Sequence, residues 1–207
     1  MPLIYQHQIN ETTRLGVWHI AETEAFFLEK VPLQRSITHP HKRLQHLAGR
    51  YLLLDLEPAF PFELIRIADT KKPFLENDSF HFSISHCADY AAVIISSNKR
   101  VGIDIELVTE KISSVIPKFL TAEEIFLLPR GSIATTATLF WSAKESIFKW
   151  YGHGKVDFKE NIRIHDFIEK ENEGIISCSF LKDKITSLKV LFLLFNGNCL
   201  SWVMSEG

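Results

Sequence analysis

The chain has 207 residues, 46% of them hydrophobic, enough to bury the core of one ordinary domain or two small ones and too many for a disordered chain. Its 23 basic and 25 acidic residues leave a formal charge of -2 and are dispersed, so no global positive field argues for a nucleic acid or an anionic membrane. Cys87, Cys178 and Cys199 form neither a disulfide framework nor a CxxC pair, no signal-peptide pattern opens the chain, and the apolar runs are too short to span a bilayer; a soluble protein of the reducing cytoplasm is expected.

In chain order, "IYQHQINETTRLGVWHIA" predicts strand, turn and strand, and Thr23 is placed to cap a short helix over "EAFFLEK". The spacing of Leu44, Leu47, Ala48, Tyr51 and Leu52 predicts a second helix that carries Lys42, Arg43 and Arg50 and ends before Pro58. A Pro-rich connection leads into "FHFSIS", "YAAVIIS" and "VGIDIEL", which read as an antiparallel meander. Thr121 and Glu124 have capping-box spacing and begin a helix; "FWSAKESIFKW" predicts another, closed by Gly152. "NIRIHDF", "GIISCSF", "SLKVLFLLF" and "CLSWVMS" are strands, so the order is α+β rather than a βαβ alternation.

Three elements can carry chemistry. In "RVGIDIEL" alternation puts Val101, Ile103, Ile105 and Leu107 on one face and Gly102, Asp104 and Glu106 on the other, with the two carboxylates ~6.6 Å apart along the strand, within reach of one divalent cation. Gly102 beside them suggests a close approach of a ligand to the backbone. A solvated strand face would look the same. On the helix "FWSAKESIFKW", Glu145 and Lys149 lie one turn apart on the narrow polar face, an ordinary i, i+4 pair or a third acid and a base beside the first two. Lys144 falls inside the apolar arc, where its ammonium either snorkels to water or meets a buried anion. In "FSISHC", Ser83, Ser85 and His86 stand at a strand end and can donate to a phosphate or satisfy the local turn; Lys71 and Lys72 precede Pro73. His39, His41 and His46 lack an adjoining Cys or acidic ligand at zinc spacing, and neither a GxSxG elbow nor a phosphate-binding glycine loop occurs.

Taken together and in order, "KKPFL", "FSISHC", "VGIDIE" and "FWSAKESIFKWYGHG" resemble the signature set of the 4′-phosphopantetheinyl transferase superfamily, especially its long Sfp-type members. The resemblance implies two pseudo-symmetric α+β halves, each an antiparallel sheet with packed helices: residues 1–98 with the coenzyme A nucleotide contacts, residues 99–207 with the metal and pyrophosphate site, and a cleft between them. It implies transfer of phosphopantetheine from coenzyme A to a serine of an apo acyl, peptidyl or aryl carrier protein, with release of 3′,5′-ADP by a monomer. By matching position, Asp104, Glu106 and Glu145 would hold Mg²⁺, Lys149 would contact the pyrophosphate with Lys144 the adjacent motif lysine, and Ser85 and His86 would face the 3′-phosphate with Lys72 nearby. Arg43 and Arg50 are carried over as coenzyme A contacts by the character of their helix. Glu145 is the favoured base and Glu124 the alternative. The chain departs from the family pattern at Lys71, where Gly is common before the Lys-Pro pair, and at Cys87, where a second Ser is common. Competing classes are a catalytically silent module that binds coenzyme A or a carrier, and a Mg²⁺-dependent nuclease, which the missing basic field disfavours.

Overall fold

A computed structural model describes residues 2–33, 36–129, 131 and 133–206. The chain divides into two compact units, one reaching to Lys99 and the other spanning Arg100–Glu206.

In the first unit β1 (Leu3–Asn10) and β2 (Thr13–His19) form the expected hairpin, and α1 (Glu24–Leu28) starts at Thr23, whose hydroxyl accepts from the Phe26 nitrogen. Helix α2 (Pro40–Leu56) follows, with Pro40 in its first turn and the His39 ring accepting from the Lys42 nitrogen as cap. A small hairpin of β3 (Ile65–Ile67) and β4 (Pro73–Leu75) precedes β5 (His81–Cys87) and β6 (Tyr90–Ser96). The main sheet has the order β1-β2-β6-β5, with β2 and β5 both antiparallel to β6. Leu47, Leu52 and Leu53 of α2 are wholly buried in one core with Ala91 and Val93 of β6. Burial of such side chains, worth ~1.5–3 kcal/mol each, fixes the helix on the sheet.

The second unit opens with β7 (Lys99–Leu107) and two short helices, α3 (Ile116–Phe119) and α4 (Ala122–Phe126). The long α5 (Ile133–Tyr151) and the one-turn α6 (Phe158–Asn161) follow. Strands β8 (Ile162–Lys170), β9 (Glu173–Leu181), β10 (Ile185–Phe195) and β11 (Asn198–Glu206) complete it. The sheet order is β7-β11-β10-β9-β8, so the expected three-strand meander is corrected: β5 and β6 pair with each other, but β7 leaves them and lies beside β11. The reason is in its burial, since Val101 through Ile105 are buried on both faces and need cover that a meander edge lacks. Helix α5 covers its Gly102 face, and Phe140, Ala143 and Ile147 of the helix are wholly buried in one core with Val190 and Val203 of the sheet. It ends where Gly152 takes φ 77° and its nitrogen donates to the Phe148 carbonyl at 3.0 Å.

Among the described residues no helix is long and apolar enough to cross a membrane.

Candidate active site

Of the hydrophobic half of the β7 alternation, Val101, Ile103 and Ile105 lie in the core as predicted, while Leu107 at the strand end is exposed. The other half, Gly102, Asp104 and Glu106, faces α5. A Cβ on Gly102 would stand 2.0 Å from the Ser146 carbonyl oxygen and 2.6 Å from the Trp150 nitrogen. Having no side chain is what lets helix backbone rest on strand backbone, so the expected ligand approach at Gly102 is corrected to a helix approach.

That close packing aligns the polar groups of the two elements. Trp141 Nε1 donates to Glu106 Oε1 at 3.2 Å, Lys149 Nζ donates to Asp104 Oδ1 at 2.6 Å, and Trp150 backs onto Gly102. Helix from 141 to 150 rises about 13 Å and strand from 106 back to 102 covers about 13 Å, so the two keep pace in opposite directions. Glu145 sits one helical turn before Lys149. Burial first, and then the Asp104 charge, push its carboxyl up to about 7; Lys149 pulls it down and Glu106 adds to the rise. Asp104, Glu106 and Glu145 thus act on one another around the ammonium of Lys149.

Among the described residues no three acidic, histidine or cysteine side chains form a ready-made metal cage. Asp104 is closed onto Lys149 and Glu106 onto the Trp141 indole. The donor set still fits a hard divalent cation: three carboxylates, of which Glu145 is pushed up to about 7 by its burial first and then by the charge of Asp104. Trp141 escaped the sequence reading, although its place one turn before Glu145 puts both on the same side of α5.

Lys144 has a different environment. Of the two alternatives for it, water or a buried anion, the structure has the buried anion, and the anion is Glu124. Lys144 Nζ lies 2.8 Å from Glu124 Oε1 with both side chains enclosed, and also donates to the carbonyls of Phe119, Phe158 and Ile162 at 2.8–2.9 Å. Glu124 accepts from the nitrogens of Thr121 and Ile164, each at 2.8 Å, which completes the predicted capping box of α4. Burial lowers the proton affinity of Lys144, opposed by the hydrogen bond and charge of Glu124. The pair joins α5 to α3, α4, α6 and β8, and its oxygens and protons are committed there. The adjacent motif lysine Lys144 is therefore a buried brace and not a contact of the pyrophosphate, because an ammonium enclosed by four oxygen groups has nothing left for a ligand.

In the first unit a cavity of about 310 Å³ is lined by His46, Arg50, Ile65, Ile67, Lys71, Pro73, Ile84 and His86. Helix α2 comes so close to β5 that a Cβ on Gly49 would stand 2.8 Å from Ile84 Cγ2, which brings His46 and Arg50, one turn apart, beside Ile84 and His86. Four nitrogen-bearing side chains over aliphatic walls suit a nucleotide, with phosphate on the former and the base on the latter. Arg50 and His86 were expected at such a site; Lys72, Ser85 and Arg43 are not among the described lining residues. Arg43 instead grips Glu24 at 2.7 and 2.8 Å and the Ile37 carbonyl at 3.0 Å, tying α1 to α2. The three histidines considered for zinc have separate environments: His39 caps α2, His41 lies 3.0 Å from the Ala88 carbonyl, and His46 lines the cavity. His46 and Lys71 were missed as cavity residues; the i, i+4 spacing of His46 and Arg50 was the available signal.

Residues 100–193, which hold Asp104, Glu106, Glu145 and Lys149, match the model of the 4′-phosphopantetheinyl transferase superfamily. Across that stretch the chain is similar to the superfamily, and its α+β architecture of antiparallel sheets and helices is consistent with that fold. It is 32% identical over 111 residues to enterobactin synthase component D of Salmonella austin. It is 33% identical over 111 residues to the 4′-phosphopantetheinyl transferase gsp of Aneurinibacillus migulanus. Each match covers 52% of this chain and 47% or 46% of the relative, so the chain spans about half the length of these proteins.

Proposed function

We propose that the protein transfers 4′-phosphopantetheine from coenzyme A to a serine of an apo carrier protein, with Mg²⁺, releasing 3′,5′-ADP. The observation that carries this reading is the grouping of Asp104, Glu106 and Glu145 around Lys149, inside the stretch that matches the superfamily.

Asp104, Glu106 and Glu145 are the residues that would hold Mg²⁺, which when bound supplies positive charge to the pyrophosphate oxygens. Lys149 adds an ammonium where the leaving group gathers charge, after exchanging Asp104 for phosphate. The serine oxygen bonds to the phosphorus that carries pantetheine, the bridging oxygen–phosphorus bond of the pyrophosphate breaks, and its electron pair leaves on 3′,5′-ADP. The serine proton passes to Glu145, directly or through a water, as the general base of this reading. Glu124, buried and bonded on both oxygens, is ill placed for that role. The nucleotide half of coenzyme A belongs to the cavity of the first unit, where Arg50 and His86 take phosphate and the isoleucines take the base.

The test is the mass of apo carrier proteins of fatty-acid, polyketide and peptide-synthetase type after incubation with the protein, coenzyme A and Mg²⁺. A gain of one phosphopantetheine, lost in a folded Asp104→Ala variant, is expected. No gain on any carrier, with coenzyme A still bound, would leave a binding module instead.

A further inference from the structure

Strands β3 and β4 are joined by a three-residue turn with a lysine at its left-handed position. Lys71 nitrogen donates to the Ala68 carbonyl at 2.8 Å and Ala68 nitrogen donates to the Lys72 carbonyl at 2.9 Å, enclosing Asp69, Thr70 and Lys71. The last residue of such a three-residue hairpin loop is left-handed, and Lys71 has φ 65°. Glycine fills this position without steric cost, whereas a side chain there brings Cβ against the following carbonyl. The backbone therefore gives no reason for a lysine.

The cavity gives one. Lys71 is exposed and lines the same cavity as Arg50, which is 3% exposed, and as His46 and His86. Arg50 approaches from the buried side on α2, His86 from β5, and Lys71 from the open side on its turn. Among the described residues Lys71 has no carboxylate in ion-pair contact. We propose that Lys71 is a specificity-determining residue that closes a ring of nitrogen donors around the 3′-phosphate of the nucleotide, in exchange for strain in its own backbone. The inference rests on the reading of this cavity as the coenzyme A nucleotide site. It separates ligands by charge: a phosphomonoester dianion is held by Lys71, and the same nucleoside without that phosphate is not.

The experiment is calorimetric titration of 3′,5′-ADP and of 5′-AMP into the wild type and into the Lys71→Asn, Lys71→Arg and Lys71→Gly variants. Asn accepts left-handed backbone and has no charge; its affinity for 3′,5′-ADP should fall about five- to tenfold while that for 5′-AMP changes less than twofold. Arg should hold 3′,5′-ADP within about threefold of the wild type. Gly should lose the same affinity as Asn and yet melt a few degrees higher, since the strain is gone. Wild-type binding that Lys71→Asn leaves within twofold overturns the inference alone. Failure of the wild type to bind 3′,5′-ADP overturns the nucleotide reading beneath it.

Discussion

Lys144 Nζ and Glu124 Oε1 stand 2.8 Å apart with 0% and 1% of their side chains exposed, two full charges enclosed in the core of the second unit. Removing one partner of such a pair leaves the other uncompensated, at a cost of about 3–5 kcal/mol, whereas removing both is cheaper. Lys144→Met should therefore lose several kcal/mol in urea unfolding, and Lys144→Met with Glu124→Gln should recover part of it. Coenzyme A affinity per folded molecule should stay at the wild-type level in Lys144→Met. A stable Lys144→Met that has lost coenzyme A would return Lys144 to the site.

Glu145 predicts a pH dependence of known sign. Its carboxyl is raised from 4.5 to about 7 in the folded protein, so the folded state binds the proton more tightly than the unfolded chain. Its contribution to stability is full below pH 4.5, falls as the pH rises through 4.5 to 7, and stays lost above 7. Each pH unit of displacement is ~1.4 kcal/mol, and solvent screening at this partly exposed group leaves on the order of 1–2 kcal/mol in all. Glu145→Gln should be more stable than the wild type by about that amount at pH 8 and equal to it at pH 4.5. Mg²⁺ should raise the melting temperature of the wild type at pH 8 and do little for the variant. Melting curves at the two pH values decide it, and a variant less stable than wild type at pH 8 counts against the crowded carboxylates.

Arg43 and Arg50 divide in a way that binding can check. Arg43 holds Glu24 with two hydrogen bonds at a partly exposed site, where an ion pair contributes little, and Arg50 lines the cavity while 3% exposed. Arg43→Ala should change coenzyme A affinity less than about threefold, and Arg50→Lys should reduce it about tenfold through loss of the planar fork. Titrations with coenzyme A that reverse the order would reassign the helix.

What the sequence made legible follows the range of the interactions. The alternation of Val101, Ile103 and Ile105, the Thr121 to Glu124 cap and the amphipathic arc of α5 are periodicities within one element, and each was readable from neighbours a turn or a pleat away. The partner of β7, the anion beside Lys144 and the cavity behind Arg50 depend on residues tens of positions distant. Lys144 looked like a misfit because its wheel position was known and Glu124, 20 residues upstream, was not connected to it. Lys71 was legible as the first of two lysines ahead of Pro73, but its left-handed backbone became apparent only with the β3–β4 turn.

Gly102 offers the sharpest test of how the two halves of the carboxylate group are held together. A methyl group there would overlap the Ser146 carbonyl at 2.0 Å and the Trp150 nitrogen at 2.6 Å, both backbone atoms in the last two turns of a packed helix. Neither can rotate aside, so α5 must move off β7 by an ångström or more, opening the Lys149 to Asp104 contact now at 2.6 Å. Overpacking of this kind costs about 1–3 kcal/mol. Gly102→Ala should thus unfold at lower urea and, where it remains folded, lose most of the Mg²⁺-dependent gain in melting temperature, although no proposed metal ligand has changed. Retention of the full Mg²⁺ response in a folded Gly102→Ala would show that the carboxylates do not depend on this helix–strand contact for their arrangement.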